Sequence, residues 1–358
     1  MNTLNLKKRK IGEGQSTYVI AEIGINHNGH LNIAKELIKK SAEAGADAVK
    51  FQKRDAASIM IASKINPNPV GRLSKTADDI VTGAPAFGGW SYPDSRLELT
   101  DADYRELKKL ADKLKIDFVA SPWDEKSTDF LVNLGVPFLK IPSVEIKNPA
   151  YLEYVAKKKM PLIMSTGTAN IKEIDAAVAL VTKYNKNLCL LQCTSAYPSR
   201  FDQIDLRVIK TLRDRYNLPV GYSGHESGTH IAAAAVALGA CVIERHITLD
   251  RKMSGPDHGA SIEMHELKEM VRQIREVELA LGTPEKKHYT TEDPLIRALG
   301  KSVVSAVRIS TGTVVTRKML VAKGPSTGIA ASELPRLVGK KATEDIEADT
   351  LIMSKQIR

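Results

Sequence analysis

The chain has 358 residues, 43% of them hydrophobic, and carries a formal net charge of +10 at pH 7. This length accommodates one large domain and a smaller one, and no apolar run reaches the roughly 20 residues that span a bilayer, so we expect no membrane partner. Residues 7–10 are basic but precede no apolar run of the kind found in secretory signals. The three cysteines, Cys189, Cys193 and Cys241, lack metal-type spacing, so we expect reduced thiols in the core and a cytoplasmic location.

The positive charge favours an anionic ligand over a nucleic acid. Only 5% of the residues are aromatic, and no basic run is interleaved with aromatic residues as a base-stacking surface requires. An anionic small-molecule substrate accounts for the charge more economically, so we expect no nucleic-acid partner.

Short apolar runs alternate with stretches of helical periodicity from about Thr17 onward. The predicted strands cover residues 18–23, 48–52, 117–121, 138–141, 162–165, 188–193, 220–223 and 241–246. The predicted helices cover residues 32–44, 101–115, 125–134, 149–158, 171–184, 203–215, 228–238 and 264–281. Eight such repeats over about 270 residues predict an α/β fold, a (β/α)8 TIM barrel. An open doubly wound sheet is the alternative, but residues 24–29 lack its usual G-x-G-x-x-G turn.

Two regions depart from this repeat. Residues 53–99 are rich in Pro, Gly, Ser and Asp, and we expect a functional or disordered loop on the catalytic face. A barrel of residues 1–282 is followed by a polar linker of residues 283–296. Short runs then recur at residues 302–307, 312–315, 319–321, 337–339 and 351–352. They predict a small β-rich domain of residues 297–358, which has eleven Lys and Arg against five Asp and Glu.

Lys50 and Lys140 each lie inside an apolar strand, although a lone buried ammonium is costly. One interpretation is that both point into the barrel mouth and, with Ser143, Ser165 and Thr166, bind a phosphate and a carboxylate.

Two alternatives remain for these lysines. Either could form a structural ion pair with Glu22 or Glu145. Either could instead form a Schiff base in an aldolase, although a group of anion-binding residues argues mildly against that chemistry.

Two histidines, His225 and His246, fall at the ends of adjacent predicted strands. The carboxyl ends of barrel strands meet at one mouth, so the two imidazoles could share a metal ion, with Asp257 or substrate oxygens completing its coordination. Imidazoles without thiolates suit Mn, Co or Zn. A structural role for each histidine is the alternative.

Glu22 lies on the first predicted strand and faces the same mouth. A carboxyl group there suits general acid–base catalysis or the positioning of a hydroxyl. The alternative is that Glu22 is simply the partner of Lys50.

Several segments together resemble the sialic acid synthase family. They are residues 21–29 (Ala-Glu-Ile-Gly-Ile-Asn-His-Asn-Gly), 49–52 (Val-Lys-Phe-Gln), 191–198 (Leu-Gln-Cys-Thr-Ser-Ala-Tyr-Pro), 221–225 (Gly-Tyr-Ser-Gly-His), 244–248 (Glu-Arg-His-Ile-Thr) and 254–258 (Ser-Gly-Pro-Asp-His). The resemblance covers nearly the whole chain in matching order. Residues 297–358 resemble the family's C-terminal SAF domain, a β-clip similar in fold to type III antifreeze proteins.

The resemblance implies a transferase that condenses phosphoenolpyruvate (PEP) with N-acetylmannosamine or a related N-acetylated hexose. The C3 carbon of PEP would attack the open-chain aldehyde, water would add at C2, and phosphate would leave by C–O cleavage, giving a sialic-type nonulosonic acid. The alternatives are the same reaction on the 6-phosphate sugar or on a 2,4-diacetamido hexose. Residues 191–198 also resemble the animal enzyme, which uses the phosphorylated sugar.

The resemblance assigns roles to strand-end residues. Glu22, Lys50 and Lys140 would be catalytic, while His225 and His246 would hold a divalent metal (Mn, Mg or Co) that polarises the aldehyde. The substrate-binding residues would be Gln52, Ser121, Ser143, Glu145, Ser165, Ser195, Tyr197, Asp257 and Lys323.

The resemblance also implies a homodimer, because the family's SAF domain reaches across a domain-swapped dimer to cover the mouth of the partner's barrel.

The sequence departs from the family pattern at two positions that would contact substrate. Pro142 stands where the family often has Gly, and it removes an amide donor. Lys323 stands near the place of an Arg that touches the N-acetyl group in bacterial members, and a lysine lacks the planar guanidinium fork.

Outside enzymes, the C-terminal domain could be an independent ice-binding or carbohydrate-binding module. A flat, uncharged face would favour ice binding, and the excess of basic residues in this domain argues against it.

Overall fold

The computed structural model describes residues 3–6, 9–59 and 97–358. Most of the predicted loop of residues 53–99 therefore lies outside the described residues. The chain divides into two compact units, Met1–Gly282 and Thr283–Arg358. Each unit has hydrophobic clusters of its own.

Eight parallel strands of the first unit form the predicted (β/α)8 barrel. The strands of this unit are β1 (Thr3–Asn5), β2 (Lys10–Gly12), β3 (Tyr18–Gly24), β4 (Ala48–Lys53), β5 (Asp117–Pro122), β6 (Leu139–Ile141), β7 (Leu162–Ser165), β8 (Leu188–Cys193), β9 (Val220–Gly224), β10 (Val242–Thr248) and β11 (Ile262–Glu263). Hydrogen-bonded pairs join them in the order β5-β4-β3-β10-β9-β8-β7-β6, and β5 and β6 adjoin to complete the ring. The eight barrel strands are buried on both faces, which is why their sequences are near-continuous apolar runs.

Helices follow most of the barrel strands and cover them from outside. They are α1 (Leu31–Glu43), α2 (Ala56–Ile59), α3 (Asp101–Leu114), α4 (Glu125–Leu134), α5 (Pro149–Lys157), α6 (Ile171–Tyr184), α7 (Val208–Tyr216), α8 (His230–Ala237) and α9 (Met264–Leu281). Local signals set their ends: Thr100 and Asn170 cap α3 and α6 in capping boxes, and Gly135 ends α4 at a φ of 78°. The helix predicted from residue 203 begins only at Val208, because Asp205 adopts a φ of 51°.

A short antiparallel hairpin closes the amino-terminal end of the barrel. Leu4 of β1 and Ile11 of β2 are fully buried in an inner cluster with Tyr18 and Ile163, from the early parts of barrel strands, and with Phe138, which directly precedes β6. The opposite end, where the strands finish, is therefore the mouth that a ligand can enter.

The second unit is a small irregular domain around ten buried apolar residues. It contains α10 (Asp293–Leu299), β12 (Ser302–Ser305), β13 (Leu320–Lys323) and α11 (Leu334–Leu337). Among the described residues of this second unit, only β12 and β13 are regular strands, whereas the predicted runs 312–315 and 351–352 supply isolated bridges. Helix α10 starts inside the predicted linker and crosses its boundary at residue 296. No helix within residues 3–6, 9–59 and 97–358 has both the length and the hydropathy to cross a bilayer.

Candidate active site

A cavity of about 410 Å³ lies at the carboxyl ends of the barrel strands. Twelve of the fourteen predicted site residues line it. They are Glu22, Lys50, Gln52, Ser121, Lys140, Ser143, Ser165, Ser195, Tyr197, His225, His246 and Asp257. Residues scattered over more than 230 positions of sequence thus meet in one space, because every barrel strand delivers its last side chains to the same end.

Two predicted residues are not among those that line the cavity. Glu145 lies in a short 3₁₀ helix (Ser143–Lys147), where its Oε2 accepts a hydrogen bond from Asn148 at 2.8 Å and burial raises the pKa of its carboxyl. Lys323 belongs to the second unit, where its ammonium pairs with Asp349.

Two lysines and two glutamates form the charged centre of the cavity. Lys50 Nζ lies 2.9 Å from Glu22 Oε1 and donates to Ser121 Oγ at 3.0 Å. Lys140 Nζ donates to Ser165 Oγ at 2.6 Å. A single oxygen, Oε1 of Glu244, lies 3.8 Å from Lys50 Nζ and 3.7 Å from Lys140 Nζ.

Burial and mutual charge set the protonation of this group. Burial raises the pKa of Glu22 to about 7, although the neighbouring Lys50 opposes the shift. Burial also lowers the pKa of Lys140. For Glu244, burial acts to raise the pKa, but the charges of Lys140 and Lys50 overcome it and hold that pKa below its usual value. Burial also raises the pKa of Asp257 to about 6, so Glu22 is the residue of this charged centre that can carry a proton near neutral pH, and Asp257 is a second carboxyl group that protonates at slightly lower pH.

The interpretations of the lysines can now be compared with these contacts. The ion pair between Lys50 and Glu22 exists, whereas Glu145 pairs with neither lysine in the described chain. The hydroxyl of Thr166 donates to the Leu191 carbonyl at 2.9 Å, so its hydrogen is used within the protein. The ion pair and a ligand-binding role are compatible, because both lysines still line the cavity.

The two imidazoles lie side by side, with ring centroids 5.4 Å apart. His225 Nδ1 is 2.9 Å from the Thr194 carbonyl, which can only accept a hydrogen bond, so Nδ1 carries the hydrogen and Nε2 keeps its lone pair when the ring is neutral. The ring of Tyr197 packs against both, at 4.1 Å from His225 and 5.6 Å from His246.

The donor set at the imidazoles suits a divalent ion. His246 Nδ1 is buried and has no hydrogen-bond partner among the described residues, and Asp257 Oδ2 lies 3.7 Å from it. Burial, together with the positive charges around it, lowers the pKa of His246, which keeps the ring neutral as a ligand must be. No three His, Cys, Asp or Glu side chains in the described part of the chain form a complete cation site. Two imidazoles would therefore need oxygens of water or substrate as further ligands.

Seven residues that line the cavity were not assigned as site residues from the sequence, and Glu244, Ser223 and Cys193 are among them. Glu244 and Ser223, hydrogen-bonded at 3.1 Å, both line it. The period of two along a strand could have revealed Glu244, since it shares a face with His246. Cys193 was assigned to the core, but it lines the cavity, with its thiol 3.6 Å from Ser143 Oγ and 3.9 Å from Ser195 Oγ. All three cysteines are free.

The architecture defined by these features is a (β/α)8 barrel with a charge-paired cavity at its mouth and a small C-terminal domain. The chain belongs to the NeuB family, whose profile matches residues 37–286, and the SAF domain profile matches residues 300–358. The family resemblance predicted from the sequence is thereby confirmed.

Similar proteins cover nearly the full chain. It is 42% identical to the N,N'-diacetyllegionaminic acid synthase of Campylobacter jejuni, over 94% of this chain and 99% of that protein. It is 41% identical to the N-acetylneuraminate-9-phosphate synthase of Homo sapiens, over 98% of this chain and 95% of that protein. The crystal structure of a sialic acid synthetase from Leptospira borgpetersenii in complex with citrate matches with a TM-score of 0.69 and 32% identity, over 82% of this chain and 95% of that one.

Proposed function

We propose that the chain is a nonulosonic acid synthase that condenses PEP with the open-chain aldehyde of an N-acetylated hexose. The observation that carries this proposal is the single cavity in which a lysine pair and an imidazole pair meet at the mouth of a NeuB-family barrel. The synthases of legionaminic acid and of N-acetylneuraminate 9-phosphate that the chain resembles support the same class of product.

The lysine side of the cavity is the proposed site for PEP. The ammonium groups of Lys50 and Lys140, with the hydroxyls of Ser121 and Ser165 beside them, supply charge-assisted hydrogen bonds to a carboxylate and a phosphate. PEP brings more negative charge than the two lysines neutralise. Glu22, whose pKa is raised to about 7, can take up a proton and relieve the repulsion.

The reaction joins C3 of PEP to the aldehyde carbon and breaks the C–O bond to phosphate at C2. The aldehyde oxygen becomes a hydroxyl by taking a proton, and water adds at C2, which ends as a ketone. Glu22 is the proposed donor of the proton, because its pKa of about 7 lies nearer neutral pH than the pKa of about 6 of Asp257. A divalent ion such as Mn²⁺, Mg²⁺ or Co²⁺, held by His225 and His246, would polarise the aldehyde carbonyl.

The proposed sugar is N-acetylmannosamine, with two alternatives. A 2,4-diacetamido hexose is favoured by the 42% identity to a legionaminic acid synthase, and the 6-phosphate sugar by the 41% identity to a 9-phosphate synthase. Gln52 and Asp257, which line the cavity near the imidazoles, are the proposed sugar contacts. We further propose that the SAF domain completes the site across a domain-swapped homodimer.

The sugar is identified by comparing kcat/KM for the three candidates with PEP and Mn²⁺, and by the mass of each product. We expect one sugar to exceed the others by at least about tenfold, since a site built to hydrogen-bond a group rejects the analogue that lacks it. If none of the three yields a nine-carbon 2-oxo acid, the proposed function is wrong.

A further inference from the structure

A fully buried ion pair connects β10, which carries His246, to the segment directly after β9, which carries His225. Arg245 of β10 and Glu226, which follows β9, are both wholly shielded from solvent, and Arg245 Nη1 donates to Glu226 Oε1 at 2.8 Å. The same guanidinium donates to the backbone carbonyls of Glu226 and Gly228. The other carboxylate oxygen, Oε2, accepts from the hydroxyl of Tyr222 at 2.7 Å. Both oxygens of Glu226 are therefore held by the protein itself.

The backbone is shaped to fit this carboxylate. Gly224 pairs with Arg245 in the register of β9 and β10. A Cβ atom at position 224 would lie 2.6 Å from Glu226 Oε2 and 2.6 Å from the Tyr222 ring, closer than real Cβ contacts. Only glycine lets the strand approach the carboxylate so closely.

The pair lies directly behind the imidazoles. Glu226 follows His225 in the chain, and Arg245 precedes His246. Successive side chains of a strand point to opposite faces, so His246 faces the cavity while Arg245 points away from it. The contact between Arg245 and Glu226 thus connects the backbones of the two histidines without occupying the cavity.

We propose that Arg245, Glu226 and Tyr222 are positioning residues that set the separation and orientation of the His225 and His246 imidazoles for the divalent ion. This inference rests on the proposed function, because it takes the two imidazoles as the metal ligands. Groups that hold metal-binding imidazoles in place commonly change metal affinity by about 10- to 100-fold when they are lost.

The test is a titration of the full-length protein with Mn²⁺, in which free Mn²⁺ is measured by electron paramagnetic resonance. The variant is Glu226→Gln with Arg245→Met, which removes both charges together, because removing one alone would leave a buried unpaired charge. The expected result is a Kd for Mn²⁺ raised at least about tenfold. If the double variant does not fold, Tyr222→Phe, which deletes a single hydroxyl, is titrated in its place. We expect this variant to raise the Kd for Mn²⁺ by about threefold.

The chain offers a matched control on its outer surface. Asp175 of α6 accepts hydrogen bonds from Arg215 at 2.6 Å and from the Tyr216 hydroxyl at 2.8 Å, both of α7, so the same three kinds of group meet on the outer helices. The variants Asp175→Asn with Arg215→Met, and Tyr216→Phe, are expected to leave the Mn²⁺ affinity unchanged.

Two further measurements separate the possible outcomes. The affinity of the variants for PEP without metal, measured by calorimetry, should stay within about twofold of that of the unaltered protein, because the lysine pair lies on other strands. An equal loss of PEP and Mn²⁺ affinity would indicate general damage to the barrel and would overturn the inference. His225→Ala and His246→Ala show whether the imidazoles bind Mn²⁺ at all. If they weaken binding and the Arg245 and Tyr222 variants do not, the inference alone is wrong. If they do not weaken it, the proposed metal site is wrong and the inference falls with it.

Discussion

Lys140 is a buried cation of the proposed PEP site. Its ammonium is buried, donates to Ser165 Oγ and to the Ile141 carbonyl, and lies 3.7 Å from Glu244, while burial lowers its pKa. Bound PEP would place further negative charge beside this ammonium. We expect Lys140→Met to lower kcat/KM for PEP by about 100-fold or more, because truncating one partner of a buried charge pair costs 2–5 kcal/mol or so. Steady-state kinetics with a varied PEP concentration measure this.

A surface lysine provides the control for that substitution. Lys210 pairs with Asp214 one helical turn away, and both are largely exposed. Lys210→Met should leave kcat/KM unchanged, since exposed ion pairs contribute little. A Lys140→Met enzyme with the kinetics of the Lys210→Met enzyme would contradict the PEP site.

At the scale of elements, the hairpin of β1 and β2 is an integral part of the barrel core. Leu4 is fully buried in the inner cluster. Leu4→Ala should lower the free energy of unfolding by about 2–4 kcal/mol, because the barrel strands cannot collapse into the cavity that the substitution leaves. Urea denaturation followed by circular dichroism measures the loss.

Leu279 is the matching control, because it is a leucine that is 82% exposed. Leu279→Ala should change the stability by less than about 0.5 kcal/mol. Equal effects at positions 4 and 279 would show that the hairpin does not stabilise the barrel.

Some elements could be predicted from the sequence and others could not. The eight barrel strands were predictable because strands buried on both faces read as continuous apolar runs, and twelve site residues followed from their place at strand ends. The hairpin was missed because its two strands have three residues each, which is too short to show the alternation of apolar and polar residues that indicates a strand. In the second unit, Val314 and Leu351 make only isolated bridges, so their apolar runs predicted more strand than exists.

Other parts of the site could not be derived from sequence patterns. A 3₁₀ helix begins after Pro142, and because of this local turn Glu145 is not among the residues that line the cavity. The partner of Glu226 was not predictable, because Arg245 is 19 residues away and their contact depends on the register of β9 and β10. Long-range side-chain pairing of this kind is set by packing and not by periodicity.

For the whole molecule, the proposed exchange of SAF domains can be tested by mixing two inactive chains. A chain truncated after Gly282 keeps the barrel clusters but lacks the SAF domain, and full-length Lys140→Met keeps the SAF domain but has a defective barrel. We expect each alone to have little activity and their co-expression to restore it, because the SAF domain of one chain would cover the intact barrel of the other. Absence of restoration with two folded chains would indicate that each SAF domain serves its own barrel.

The central claim is that this cavity joins PEP to a sugar aldehyde with loss of phosphate. The most direct measurement is phosphate release from PEP by the full-length protein, with the sugar and Mn²⁺ each present or omitted. We predict one phosphate for each nonulosonic acid formed, and release only when both the sugar and the metal are present. Phosphate release without sugar, or none with any of the three candidate sugars, would contradict the account.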